Sequence, residues 1–477
     1  MTLQSFGFLI FLAAVAVVHY RIPRRFQYIW LCLASLFFYL SGDIHYLVGL
    51  VICAASTYGA GLLLGRERGR GKKALVALCA GVQILLLFLF RYPLAKSVFV
   101  PLGLSFYALQ AMGYVIEVYR GSMRPEKNPL RYMVYVTFFP TVMSGPIQRA
   151  PELLPQIREG KGFDYDRVHS GLYLLLWGFL LKQVLADPLG SMVDYAYGNY
   201  TEMPGATLLW ATVLYAVQLY CDFAGYSALA MGAAGVLGFE ISENFRQPYF
   251  AVSVRDFWRR WHISLSSWLR DYVYIPLGGN RRGKCRQYGN LMATFLISGL
   301  WHGSGAHYLA WGAIHGVCQV LESGISHRHR GPGLPAPANA GRMENPGVCR
   351  AHRIVRGMGV FALVDFAWLF FRAESLGQAF AILYRIFFCF RFKEMTYYGS
   401  YLMGRTKTEL LLLLFGIVLM FLVDFLHEKK ISIERYAARR LPIGVRWAAY
   451  IVLTLGILLV VVREYGQGAS NFIYTRF

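Results

Sequence analysis

Four histidines fall within one stretch of the chain, Ser242 to Gly316, and three of them are candidates for chemistry: His262 in RRWHISLSS, His302 in LISGLWHGSG and His315 in WGAIHG. His302 follows an apolar run, TFLISGLW, and stands between Trp301 and Gly303. An imidazole titrates near neutrality and can take the proton of a hydroxyl, so this residue type suits general-base chemistry. An ionisable group inside an apolar segment must have its desolvation offset, which makes it a functional candidate by default. The residues alone leave two readings for His302, a general base or a packed and hydrogen-bonded structural histidine. The same two readings hold for His262 and for His315, which lies four residues after Trp311 on one helical face. His307 reads as interfacial and structural. Metal binding is not expected, because no acidic or cysteine ligand lies at i, i+4 from these histidines and H-E-x-x-H is missing. No G-x-S-x-G elbow is present either, so a serine nucleophile in this chain is not expected.

Carboxylates lie in apolar runs at Asp222 (QLYCDFAGYS), Asp365 and Asp424. Each can orient a histidine, pair with an arginine, or simply join two helices by a hydrogen bond. Asp222 has Gln218, Tyr220, Tyr226 and Ser227 close by in sequence, which suggests a lined cavity. Over residues 253–275 two stripes share the helical period. Phe257, Trp261, Leu265, Trp268 and Tyr272 form the aromatic one, and Arg255, Arg259, His262, Ser266 and Arg270 the polar one. Ser253 with Asp256 fits an N-terminal cap, and Pro276 stops the segment. This pattern predicts one amphipathic helix lying in the membrane interface. Its arginines, Arg259 and Arg260 among them, are either anchors or receivers of a phosphate-bearing ligand. PLGGNRRGKCR adds Arg281, Arg282 and Lys284 directly afterwards, without the spacing of a P-loop. Far away in sequence, NFIYTRF carries Tyr474, which reads as a transient acyl acceptor or as part of a packing plug.

These residues must be held by membrane helices. The chain has 477 residues, 56% hydrophobic and only 16% charged, against about 25% charged for a soluble domain. Apolar runs at 4–20, 27–41, 45–64, 74–91, 98–119, 131–147, 169–187, 207–223, 225–241, 288–303, 306–322, 357–372, 376–391, 408–426 and 445–463 are candidate spans. Some are short or broken by Gly and Pro, so about 11 full spans are expected, with re-entrant pieces. The net charge of +22 is gathered in short clusters between apolar runs, such as Arg21–Arg25, Arg66–Lys73 and Lys429–Arg440. That is the pattern of loops on the cytoplasmic side touching anionic lipid headgroups, with the N-terminus and the aromatic tail outside. No nucleic-acid module accompanies the charge, so nucleic acid is not expected as a partner. The eight cysteines are scattered singly and suggest neither zinc nor disulfides. The expected organisation is all-α, a single integral membrane domain over 1–477. It comprises N-terminal spans (1–241), a catalytic core segment (242–325), a loop (326–356), C-terminal spans (357–463) and an aromatic tail (464–477).

ENFRQPYFAVSVRDFWRRWHISLSSWLRDYVYIPLGGNR followed by LISGLWHGSGAHYLAWGAIHG resembles the membrane-bound O-acyltransferase family. The likeness is to the bacterial branch that contains alginate O-acetylase, peptidoglycan O-acetyltransferase and the D-alanyl transfer protein of teichoic acids. PLGLSFYALQAMGYVIEVYRG, FFPTVMSGPIQR and YCDFAGYSALAMGAAGVLGFEISENFRQPY are similar as well, so the resemblance covers most of residues 1–325. It implies a helical fold around a funnel or tunnel through a bacterial cytoplasmic membrane. The histidine of the family's W-H-G motif falls on His302, that of R-W-H-x-S-L-S on His262, and that of W-G-x-x-H-G on His315. The implied reaction passes an acetyl group from cytoplasmic acetyl-CoA, a substrate rather than a bound cofactor, across the membrane. An extracytoplasmic serine-hydrolase-like partner of SGNH type would then esterify an envelope or exported polysaccharide. In this scheme His302 is the base, His262 positions the thioester, Trp301, Asp222 and His315 line the substrate, and Tyr474 relays the acyl group. D-alanyl transfer, a transporter of an acyl-bearing or lipid-linked solute, and a member acylating lipid or protein directly stay open as alternatives.

Overall fold

A computed structural model describes residues 1–42, 44–67, 69, 71–91, 101–328, 346–397 and 399–465. Tyr474 and most of the loop expected at 326–356 lie outside the described residues. Among those described, all regular structure is helical, as an apolar solvent demands when each backbone polar group must be satisfied within its own segment. Among the described residues six helices are long and apolar enough to cross a membrane: Tyr46–Arg66, Gly71–Phe90, Tyr165–Gly198, Gly205–Val236, Ala351–Arg372 and Lys407–Glu428. Three shorter apolar helices accompany them, Phe6–Arg21, Leu376–Phe388 and Ile443–Leu459. The chain is a polytopic helical membrane protein.

It divides into two compact units. The first holds Met1–Val184, Cys221–Glu243 and the chain from Leu441, and the second holds Leu185–Tyr220 and Asn244–Arg440. The core of the first unit is rich in buried tyrosines whose hydroxyls all need partners. Tyr132 donates to Thr57 Oγ1 at 2.7 Å, Tyr135 donates to the Gln110 carbonyl at 2.8 Å, and Tyr114 accepts from the Glu126 amide at 3.1 Å. The helix Tyr165–Phe179 runs on through a widened π-helical turn, Leu180–Ala186. Within this unit it lies against the segment from Cys221 onward so closely that a Cβ on Gly178 would stand 2.8 Å from the Gly225 carbonyl. Lys182, in the widened turn, meets Asp222 at 2.6 Å, with both side chains about as inaccessible as any in the protein (1% and 2% exposed).

The second unit contains Asp187–Gly198, the beginning of Gly205–Val236, two short helices Val254–Arg260 and Ile263–Leu269, and a helical hairpin, Lys284–His302 with Ala306–Arg328. Pro346–Arg372, Leu376–Phe388 and Lys407–Glu428 complete it. Two expectations from sequence are corrected. Residues 207–223 and 225–241 are not two spans but one 32-residue helix ending at Val236; Asp222 does not interrupt it, because Lys182 neutralises the carboxylate. The run at 131–147, one of those interrupted by Gly and Pro and read as broken or re-entrant, is a helix only over Pro129–Thr137, after which the chain turns. The single amphipathic helix expected over 253–275 is broken between Arg260 and Ile263, and its aromatic stripe is buried rather than laid on a surface.

Candidate active site

The hairpin sets the position of His302. Its two helices are antiparallel and nearly touching, because glycines fall where the backbones meet. A Cβ on Gly312 would stand 2.5 Å from the Phe295 carbonyl, and one on Gly316 2.7 Å from Met292 Sδ. At the tip, a Cβ on Gly299 would run into the Tyr308 carbonyl, and one on Gly303 into the Tyr308 ring. Small residues that allow such approach are the usual device for packing helices in lipid. His302 is the last residue of its helix and is 3% exposed. The sequence W-H-G-S-G therefore places an imidazole at a helix end, against the turn that closes the hairpin.

Around it is an aromatic chamber. The His302 ring centroid lies 4.8 Å from Trp301, 5.1 Å from Trp311 and 5.0 Å from Phe371. Trp311 in turn is 5.1 Å from His315 and stacks on Trp368 at 5.9 Å. His315 is fully buried, and its Nδ1 accepts from Trp258 Nε1 at 3.3 Å. Of the chamber walls, Trp311 shares a helix with His315, Trp258 comes from Val254–Arg260, and Trp368 and Phe371 come from Pro346–Arg372. Sequence reasoning named Trp311 only as a marker for His315 and missed Trp258, Trp368 and Phe371. Trp258 stands one residue after Phe257, off the period of the aromatic stripe. The only local signal for the other two was the aromatic density of DFAWLFF.

His262 sits at the break between the short helices, with left-handed backbone angles, φ 44° and ψ 54°. Such a conformation costs a non-glycine residue on the order of 1–3 kcal/mol and persists only when its surroundings over-determine it. ENFR does this. The Arg246 amide donates to the Arg260 carbonyl at 3.0 Å and the Ile263 amide to the Asn244 carbonyl at 3.0 Å, while Ser264 Oγ donates to Asn244 Oδ1 at 2.6 Å. Trp261 wedges between Phe245 and Trp368, each 5.0 Å away. The break turns the His262 ring to within 6.1 Å of Trp301, so one indole lies against both His262 and His302. His262 lies outside the membrane-crossing helices, and burial pushes its imidazole down to about 3, so it is neutral at physiological pH.

The basic residues divide. Arg259, Arg281, Arg282 and Lys284 are exposed. Arg260 is not available in the same way: it is held by Asp256 at 3.0 Å and by both oxygens of Glu428 at 2.6 and 3.3 Å. Gly278, Gly279 and Gly283 all take positive φ, which shapes the PLGGNRRG turn that carries the arginines. Asp222 belongs to the first unit and pairs with Lys182 there. Asp424 accepts from the Tyr220 hydroxyl at 2.8 Å. The second unit therefore brings together His302, His262, Trp301 and His315 around one chamber.

A helical membrane protein that buries several histidines among indoles, with an exposed basic turn in the same unit, has the parts of an acyl-transfer enzyme acting within a membrane. The sequence model of the membrane-bound O-acyltransferase family matches residues 124–343. Over 98% of both chains, this sequence is 32% identical to the probable alginate O-acetylase AlgI of Pseudomonas putida. It is 32% identical to the peptidoglycan O-acetyltransferase of Helicobacter pylori over 75% of this chain and 73% of that one. Similarity to the teichoic acid D-alanyltransferase of Bacillus subtilis is 29% over 45% of this chain and 57% of that one. The chain belongs to the membrane-bound O-acyltransferase family and is an acyltransferase.

Proposed function

We propose that the protein takes an acetyl group from acetyl-CoA on the cytoplasmic side of a bacterial cytoplasmic membrane and passes it outward for O-acetylation of an envelope or exported polysaccharide. The observation that carries this reading is His302, an imidazole at the closed end of a glycine-packed hairpin, walled by Trp301, Trp311 and Phe371. Full-length likeness to an alginate O-acetylase supports acetyl over D-alanyl transfer, since the D-alanyl relative matches less than half of the chain.

In this scheme the exposed Arg259, Arg281, Arg282 and Lys284 attract the phosphates of CoA, and the pantetheine arm reaches the chamber. His302 takes the proton of an acceptor hydroxyl. The freed oxygen bonds to the thioester carbonyl carbon, the carbon–sulfur bond breaks, and the departing thiolate receives the proton from His302. Neutral His262 steadies the thioester from the other side of Trp301. Only the acetyl unit crosses, so charged CoA never enters hydrocarbon. Tyr474 supplies the first acceptor hydroxyl, and an extracytoplasmic serine-dependent acyltransferase of SGNH type carries the group to the sugar.

Two variants test the scheme. His302→Ala abolishes polysaccharide O-acetylation while the protein still reaches the membrane in normal amount; full activity in that variant removes His302 from the chemistry. Tyr474→Phe keeps the ring and removes the hydroxyl, so it blocks transfer to the partner. Normal transfer by this variant leaves Tyr474 as packing.

A further inference from the structure

The chamber beside His302 contains three N–H groups that have no acceptor among the described residues: Trp311 Nε1, Trp368 Nε1 and His315 Nε2. Their side chains are at most 1% exposed. Buried donors almost always have partners, and leaving one unmade is costly. Here three occur in rings that adjoin one another, with Trp311–His315, Trp311–Trp368 and His315–Trp368 centroids 5.1, 5.9 and 6.2 Å apart.

The histidine can be assigned as a donor on chemical grounds. An indole N–H only donates, so Trp258 Nε1, 3.3 Å from His315 Nδ1, makes Nδ1 the acceptor. A neutral imidazole with Nδ1 as acceptor carries its hydrogen on Nε2. Trp258 thus fixes the tautomer in which His315 offers an N–H and cannot itself serve as a base at that nitrogen. All three unpartnered atoms are therefore neutral donors. They suit an uncharged acceptor that gains negative charge during reaction, and they lack the positive charge that would favour a phosphate.

We infer that His315, Trp311 and Trp368 form the site for the carbonyl oxygen of the acyl thioester. This rests on the acyl-CoA reading above and adds to it the groups that bear the oxygen's charge. As the hydroxyl loses its proton to His302 and its oxygen bonds to the carbonyl carbon, the carbon–oxygen π pair moves onto the oxygen held by these N–H groups. When that pair returns, the carbon–sulfur bond breaks and the thiolate takes the proton from His302. Donors fixed in a dry site cost no reorganisation at the moment of charge development, which is why such groups are effective. Trp311 packs against both His302 and His315, with centroids 5.1 Å away in each case, so one indole links the base to the donors.

The test uses full-length protein in lipid nanodiscs. In the otherwise unaltered protein, His315→Phe lowers kcat about 10²- to 10³-fold with the KM for acetyl-CoA little changed, and His315→Gln, which keeps an N–H near the Nε2 position, recovers part of the loss. A merely structural role would instead lower the amount of folded protein and leave the kcat of the remainder unchanged, and that result overturns the assignment. Binding of acetyl-CoA labelled with ¹³C at the carbonyl is then followed by infrared difference spectroscopy in the non-reacting His302→Ala background. The bound carbonyl band is expected below its position in free acetyl-CoA. It should move back toward the free value when His315→Phe, Trp311→Phe or Trp368→Phe is added. A bound band that none of the three moves overturns the inference and leaves the acetyl-CoA reading standing. Absence of any bound band in His302→Ala overturns that reading and this site with it.

Discussion

Two buried polar clusters, one in each unit, are built differently. In the first, Lys182 and Asp222 meet at 2.6 Å and cancel each other's charge in the widened turn of a helix. In the second, N–H groups of the buried Trp311, Trp368 and His315 beside His302 have no acceptor among the described residues. A buried ion pair that is satisfied holds helices in register, and one left with a single partner is strongly destabilising. Neutral donors without acceptors hold nothing together, and on the inference above the thioester carbonyl supplies the acceptor that these three lack. The difference separates a structural use of buried polarity from a chemical one, even though both lie within stretches that sequence inspection marks as polar and apolar at once.

The comparison can be broken in several places. The largest effect is expected at the chemical end: His302→Gln reduces acetyl transfer about 10²- to 10⁴-fold, the range of a lost general base, with the thermal midpoint nearly unchanged. Turnover and melting measured on the same purified sample check both halves. Lys182→Met should behave in the reverse sense. It strands the Asp222 carboxylate and costs about 3–5 kcal/mol of stability, whereas Lys182→Met with Asp222→Asn recovers most of it and most of the activity. If the double variant is well folded and inactive, the pair belongs to the chemistry and the contrast fails. Charge reversal at Arg281 and Arg282 is milder, because exposed charges are worth about 1 kcal/mol or less each. The apparent KM for acetyl-CoA rises at low ionic strength, and the difference from the parent shrinks as salt is added.

At His262 the effect appears only in acid. Burial holds its imidazole down near 3 against an ordinary 6.5, so its contribution to stability is present above the unfolded value and is lost as pH falls toward the folded one. The parent should therefore lose stability between neutrality and acid pH, and His262→Gln should show a flatter acid limb in denaturant titrations.

Much of this was legible in the sequence, for stated reasons. His302 was visible because an ionisable residue in TFLISGLWHG is anomalous wherever it sits, and the glycines around it announced close backbone approach. The membrane class followed from composition. The break at His262 was hidden, because RDFWRRWHISLSSWL keeps a helical period straight through it. Only the Asn244 and Arg246 hydrogen bonds, from a segment about 15 residues earlier, show why the helix stops. Lys182 was absorbed into an apolar run, and its pairing with Asp222 spans 40 positions that no local pattern connects. Trp368 and Phe371 reach the chamber from a helix more than 60 residues beyond His302. Arg260, which looks equivalent to Arg259 in sequence, differs from it because Asp256 and Glu428 occupy its guanidinium.

The most direct test of the central claim is acetyl-CoA-dependent release of free CoA by the purified full-length protein in nanodiscs, supplied with an acceptor hydroxyl, across a pH series, for the parent and for His302→Gln. The account predicts that the parent's rate rises with pH as the base loses its proton, and that His302→Gln is slow at every pH and lacks that step. A His302→Gln protein that keeps the parent's rate and its pH profile would contradict the assignment of His302 as the base.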